Sequence, residues 1–189
     1  MVTSRPSSTT AEKLIAAMIE CIGEVGWAQA STNLIAERAG VNQLTLFRHF
    51  GTKKQLLEAT LEAVLARLAA NDGPLVTEDL RSRLISVAHM YMRDVGPMPA
   101  FMLRIMAEAQ NPETAAIIEP YQTAILERLR AIFKKYSHDL QQPMATDELV
   151  LLFMGPIYLR IALSHTTISV DSTAETYVEA FLKAYGNQL

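Results

Sequence analysis

The sequence predicts an all-α protein, with a small helix-turn-helix unit near its N-terminus and a larger helical region after it. Apolar residues recur every three or four positions through most of the chain, which is the helical period. Short clusters of Gly, Pro and Asn separate these stretches, and residues 32–51 contain two short helical patterns that meet at Gly40. With 189 residues, 50% of them hydrophobic, the chain is long enough for a sizeable core.

The first helix is predicted from Thr10 to Val25, after a disordered polar tail at residues 1–9. Thr10 is the expected N-cap, and Gly26 is expected to end the helix. Its apolar stripe consists of Leu14, Met18, Ile22 and Val25.

The helix-turn-helix follows from small and capping residues. Ala36 places a small side chain on the inner face of its first helix, and Gly40 allows a left-handed turn just past that helix. Asn42 is suited to cap the second helix, which is therefore predicted to begin at Gln43. The apolar contacts between the two helices are expected from Ile35, Ala39, Val41, Leu46 and Phe50.

The outward face of the second helix has an unusual composition for a solvated surface, which would be richer in Glu and Lys. Amide, hydroxyl, guanidinium and imidazole groups stand beside two apolar side chains. Gln pairs with adenine, Arg with guanine, and Thr or Leu with a thymine methyl, so this mixture indicates base recognition in DNA. The outward residues are Gln43, Leu44, Thr45, Phe47, Arg48 and His49.

The remaining helices follow in order. Thr52 is predicted to cap a long fourth helix that reaches Ala70, and the cluster at 71–74 marks the domain boundary. We therefore predict a tail at 1–9, a first domain at 10–70 and a second at 71–189. Helices of the second domain are expected at about 78–95, 99–110, 113–136, 146–165 and 172–185.

Charge and composition exclude several classes of protein. Residues 1–60 hold six Lys and Arg against five Asp and Glu, and residues 61–189 hold eleven against fifteen. The first domain is therefore only weakly basic and neutralises few phosphates per subunit, which indicates that DNA affinity depends on dimerisation. There is no membrane-length apolar run and no signal peptide, so we expect a cytoplasmic protein with no membrane partner. Cys21 is the single cysteine, and the four histidines lie far apart in the sequence. No catalytic, metal or cofactor motif is present.

The first 60 or so residues resemble the DNA-binding domain of the TetR family of transcriptional regulators. The resemblance rests on Thr32 to Asn42, on the Leu46-Phe47-Arg48-His49-Phe50 segment, and on Lys53 with Leu56 and Leu57. It implies a three-helix helix-turn-helix DNA-binding domain followed by a larger helical ligand-binding and dimerisation domain, about nine helices in all. Because the sequence holds no catalytic constellation, we expect no enzyme activity and no cofactor.

The resemblance also implies roles for single residues. Thr32 and Lys53 would contact phosphates, His49 would contact a phosphate or pack, and Phe47 replaces a phosphate-binding Tyr. The base-reading residues would be Gln43, Leu44, Thr45 and Arg48, with Asn33 on the same DNA-binding surface. Substituting Arg48 should relax base preference, whereas substituting Lys53 should weaken binding to all sequences alike.

The second domain is rich in Met and aromatic residues, which form either core or a pocket for an apolar ligand. Pro120 and Pro156 are expected to kink their helices and open room between them. The candidate ligand residues are Phe101, Met102, Ile105, Tyr121, Phe153 and Tyr158.

The last two helices are more apolar than a small monomer needs, which indicates a homodimer through a four-helix bundle. The candidate interface residues are Met154, Ile157, Ile161, Tyr177, Phe181 and Tyr185. The predicted function is a repressor of a palindromic operator, released by an unknown small apolar molecule. Two alternatives stay open: a DNA-binding dimer without ligand gating, and a helical ligand binder whose DNA-reading helix has decayed.

Overall fold

The computed structural model describes residues 9–71, 79–92, 97–141, 144–163 and 173–187. Within these ranges the secondary structure is helical, which confirms the predicted fold class. The helices are α1 (Thr10–Gln29), α2 (Thr32–Arg38), α3 (Gln43–Phe50), α4 (Lys53–Asn71), α5 (Leu80–Met92), α6 (Pro97–Glu108), α7 (Ala115–Lys135), α8 (Thr146–Leu163) and α9 (Ala174–Tyr185), with a short 3-10 turn at Ser137–Asp139.

Helix α1 differs from its prediction at its N-terminus. Its N-cap is Thr9 rather than Thr10, because Thr9 accepts from the Glu12 backbone N–H while the Glu12 carboxylate accepts from the Thr9 backbone N–H. At the other end the regular helix breaks after Val25 as predicted, because Gly26 has φ +78° and ψ 172°, a conformation open essentially only to glycine, and a last helical segment beyond this kink runs to Gln29. Of the predicted tail, residues 1–8 lie outside the described residues.

The two predicted domains pack directly on each other. Helix α1 makes its most extensive contacts with α6 and also packs on α4, while α4 packs on α7. Leu14, Met18 and Ile22 of α1 are fully buried, as the apolar spacing predicts. Helix α4 reaches Asn71, and most of the predicted boundary at 71–74 lies outside the described residues.

The helices of the second domain lie within a few residues of their predicted positions. Helix α6 begins at Pro97, two residues before its predicted start, and the missing N–H of a proline at the first helical position costs no helical hydrogen bond. Pro120 and Pro156 lie inside α7 and α8, and both helices continue through them. No helix among the described residues has the length and apolar character that crossing a membrane requires.

Candidate nucleic-acid interface

The turn between α2 and α3 is built by the backbone at Gly40. Gly40 has φ +70°, its N–H donates to the Glu37 carbonyl at 3.0 Å, and the Val41 N–H donates to the Ala36 carbonyl at 2.9 Å. This pair of bonds is a Schellman motif, which needs a left-handed residue at the position that Gly40 occupies. With Ala36 and Leu46 buried at 2% and 0% exposure, the turn holds α3 firmly against the domain.

Asn42 caps α3 as predicted, and it also engages Thr45. The Asn42 Oδ1 atom accepts from the Thr45 N–H at 2.8 Å and from the Thr45 hydroxyl at 2.9 Å. The Thr45 hydroxyl proton is therefore occupied, which leaves the methyl group and an oxygen lone pair for DNA. Of the contacts open to a threonine, this geometry favours the thymine methyl.

Thr32 and Gln43 join the starts of the two helices. Gln43 Nε2 donates to Thr32 Oγ1 at 2.6 Å, and Thr32 itself begins α2 after the capping Ser31. The bond leaves the Thr32 hydroxyl proton and the Gln43 carbonyl oxygen available. Thr32 therefore keeps the donor that a phosphate contact requires, and Gln43 is held in one orientation before DNA arrives.

The rest of the outward face of α3 is exposed. Leu44 is 58% exposed and Phe47 is 42% exposed, which is high for large apolar side chains. Arg48 and His49 are also exposed, as is Asn33 on α2, and the His49 ring lies 6.2 Å from that of Phe50. The structure thus presents apolar, cationic and amide groups together on one short, rigid element.

Lys53, the predicted phosphate contact, is half-buried at the start of α4. Its Nζ atom donates to the Trp27 carbonyl oxygen at 2.5 Å and lies 3.9 Å from the centroid of the Trp27 ring. Burial lowers the pKa of Lys53, and the carboxylates of Glu113 and Glu108 oppose that shift. Two further N–H donors of the ammonium remain for a phosphate, and the neighbouring Lys54 is exposed.

Two arginines attach other elements to α1. Arg38 of α2 pairs with Glu24 at 2.6 Å. Arg104 of α6 donates to the carbonyl oxygens of Gly23 at 3.0 Å and Glu24 at 3.2 Å, just before the interruption at Gly26. Arg104 therefore satisfies carbonyls that the broken helix leaves free, and it links the second domain to the first.

The candidate ligand residues come together around the core of the second domain. Five of the six are buried and Tyr158 is half-buried. Phe101, Ile105 and Phe153 are 0% exposed, so none of the three lines an opening to solvent. Tyr91, which the sequence analysis did not single out as a ligand residue, lies against Tyr158 with the ring centroids 6.0 Å apart.

The candidate dimer residues need a correction. Met154, Ile157 and Phe181 are 4%, 1% and 5% exposed inside the protomer, so they cannot supply a surface between subunits. Ile161, Tyr177 and Tyr185 are half-buried, and the Tyr177 hydroxyl donates to the Phe153 carbonyl. For Met154 and Ile157 the prediction is wrong because α8 is apolar on both sides, and the spacing alone does not tell which side faces inward. The interface role of Ile161, Tyr177 and Tyr185 stays a prediction.

The opposite side of α8 is apolar and exposed. Leu151 and Leu159 are 69% and 59% exposed, and Leu152 is 38% exposed. Gly155 and Ala162 lie on the same side, where a Cβ atom added to Gly155 would meet no other atom within 4 Å. We call this set, Leu151, Leu152, Gly155, Leu159 and Ala162, the α8 stripe. Its signal in the sequence is a helix that carries apolar residues all round.

Metal chemistry has no candidate site here: the described ranges contain no group of three or more His, Cys, Asp or Glu side chains placed to hold an ion.

Comparison with known proteins gives consistent matches. Residues 14–60 match the family model described as bacterial regulatory proteins, tetR family. The transcriptional regulator BetI of Yersinia pestis is 31% identical over 165 residues, which cover 81% of each protein. The class A tetracycline repressor of Escherichia coli transposon 1721 is 38% identical over 78 residues, which cover 41% of this chain and 36% of that repressor.

Similar architecture is found among solved structures. AibR, solved in complex with isovaleryl coenzyme A and operator DNA, superposes with a TM-score of 0.72 at 16% identity, covering 93% of this chain and 97% of AibR. The likeness at this identity concerns the fold, and it extends over both domains.

Proposed function

Because the chain belongs to the TetR family and is a DNA-binding transcriptional regulator, we propose that it is a repressor that a small, largely apolar molecule releases from its operator. The exposed face of α3 carries this proposal. Leu44, Phe47 and Arg48 project from a helix that Gly40 and Asn42 hold rigidly, and this is the arrangement that base recognition in a major groove requires.

Arg48, on this face, selects bases, and Lys53, at the start of α4, binds phosphate. Arg48 suits guanine, and the exposed Leu44 and the Thr45 methyl suit thymine. Lys53 is pre-positioned by Trp27, and a cation already removed in part from water loses less hydration when it meets a phosphate. Thr32 adds a neutral phosphate donor.

The operator is bound by a homodimer formed through the α8 stripe. Large exposed apolar side chains on a helix with small residues between them are suited to close packing against a second copy. A twofold dimer places two α3 helices one helical turn of DNA apart, or a multiple of it, so the operator is a palindrome.

Ligand gating is supported by the position of α6. Helix α6, on which Phe101, Met102 and Ile105 are buried, packs on α7 and α8 as well as on α1, and its Arg104 holds the carbonyls of α1. A ligand that displaces α6 therefore acts on the DNA-binding domain directly, and α4 provides a second connection through its packing on α7.

The test begins with selection of bound duplexes from random DNA, followed by fluorescence anisotropy with the selected and a scrambled duplex. Arg48→Ala should lose about 1–3 kcal/mol of discrimination between them. Lys53→Ala should weaken both equally and reduce the slope of log K against log salt by about 1. Lys54→Ala, one residue away, is the matched control.

Each outcome is informative. If Arg48→Ala weakens both duplexes equally, Arg48 does not select bases. If Lys53→Ala lowers the melting temperature but leaves the salt slope unchanged, Lys53 is structural only. Absence of binding to any duplex at low salt would favour a ligand binder without DNA function, and binding that no compound in a metabolite panel alters would favour a regulator without ligand gating.

A further inference from the structure

Three tyrosines from three helices meet in the second domain: Tyr91 of α5, Tyr121 of α7 and Tyr158 of α8. The Tyr91 and Tyr158 rings meet edge to face, with an interplanar angle of 66° and the ring centroids 6.0 Å apart, and the two side chains interact electrostatically. Tyr121 lies close enough to both hydroxyls to interact with them electrostatically. Tyr158 is half-buried, so the cluster reaches toward solvent on the side of α8.

The Tyr121 hydroxyl differs from its neighbours because it has no hydrogen-bond partner among the described residues. The Tyr121 side chain is only 4% exposed, so water does not supply the missing bond freely. Tyr177, in the same domain, shows the usual arrangement, since its hydroxyl donates to the Phe153 carbonyl. A buried hydroxyl without a partner destabilises the folded state, and a phenylalanine would fill the same space without that cost.

The surroundings determine what kind of partner fits. Tyr121 belongs to the same apolar core as Phe101, Ile105 and Phe153. Burial raises the pKa of Tyr121 above its ordinary value, so the phenol keeps its proton at neutral pH and offers a neutral donor. A carboxylate entering these surroundings would need a cation beside it, whereas a carbonyl, ester or ether oxygen needs only the donor.

We propose that Tyr121 is the polar anchor of the effector site, and that the effector is an uncharged, largely apolar molecule whose oxygen accepts a hydrogen bond from the Tyr121 hydroxyl. The aromatic and aliphatic side chains around Tyr121 take the apolar part of the molecule, and the half-buried Tyr158 lies at the entrance. This inference rests on the proposed ligand response and adds the chemical class of the ligand.

The first test needs no ligand, because the unpartnered hydroxyl has a signature in stability. Tyr121→Phe should raise the melting temperature of the full chain by about 2–4 °C, since it removes a buried polar atom that makes no bond. The matched control, Tyr177→Phe, should lower it, because the Phe153 carbonyl loses its donor. A decrease for Tyr121→Phe like that for Tyr177→Phe would overturn the proposal, since the hydroxyl would then be partnered.

The second test uses two probes of similar shape, acetophenone and ethylbenzene, of which only the first carries an acceptor oxygen. Ligand-observed NMR should show acetophenone binding the wild-type protein about tenfold more tightly than ethylbenzene. Tyr121→Phe should abolish this preference, and Tyr177→Phe should keep it. An unchanged preference in Tyr121→Phe, or no binding of either probe up to its solubility limit, would overturn the site.

The same samples separate this inference from the proposed function. Operator binding without probe binding would leave the DNA-binding regulator intact and refute the site. Probe binding that depends on Tyr121 but does not alter DNA affinity would support the site and refute release by ligands of this class.

Discussion

Helices α3 and α8 both leave large apolar side chains in solvent, but the neighbours of those side chains differ. On α3, Leu44 and Phe47 lie beside Arg48 and His49, and the surface mixes apolar groups with a guanidinium and an imidazole. On α8, Leu151 and Leu159 are separated by the small Gly155. Exposure alone therefore does not identify a partner. A surface that mixes apolar and polar groups suits the grooves and phosphates of DNA. A surface of apolar and small residues suits the close approach of a second helix.

The largest effect is expected when charge is placed on the α8 stripe. Leu151→Asp with Leu159→Asp should raise the dimer dissociation constant by more than about a thousandfold, because each leucine is replaced in both subunits and burial of a leucine stabilises by about 1.5–3 kcal/mol. Sedimentation equilibrium measures the change. Met106→Asp, at an apolar site that is 43% exposed on α6, is the control and should stay dimeric. A dimer that survives the double substitution places the interface elsewhere.

A smaller effect is expected from substitution of two glycines, Gly40 in the turn before α3 and Gly155 in the α8 stripe. Gly40→Ala should destabilise the protein by about 1–2 kcal/mol, because the turn before α3 holds that residue at φ +70° although space for a Cβ atom is open. Gly155→Ala, tested in the Leu151→Asp, Leu159→Asp background, should instead stabilise by up to about 1 kcal/mol, since Gly155 is helical. Urea denaturation measures the free energy of unfolding of both variants. A change in the same direction for Gly40→Ala and Gly155→Ala would contradict the prediction.

The smallest expected effect concerns the apolar part of the α3 surface. Phe47→Tyr adds a hydroxyl where the family usually carries one, and a new phosphate hydrogen bond should tighten binding by about 1 kcal/mol for the operator and the scrambled duplex alike. Fluorescence anisotropy measures both affinities. A gain restricted to the operator would mean that this position contacts bases rather than the DNA backbone.

The features predicted correctly from the sequence are those that short-range chemistry decides. The left-handed turn at Gly40 and the cap at Asn42 follow from residues within a few positions of each other, and both were predicted. The contact between α1 and α6 was not predictable in this way, because the carbonyls before Gly26 are held by Arg104, which lies about 80 residues further along the chain. Likewise, nothing local predicts that Lys53 donates to Trp27.

Periodicity, caps and turns depend on neighbours in the chain, so the all-α class, the helix positions and the residues of the α3 surface follow from the sequence. The buried side of α8 does not follow from it, because both sides are apolar and the choice depends on packing against distant helices. Packing also decided that, among the described residues, the Tyr177 hydroxyl has a hydrogen-bond partner and the Tyr121 hydroxyl has none. The carbonyl that Tyr177 binds belongs to Phe153 on another helix, so the sequence around the two tyrosines does not distinguish them.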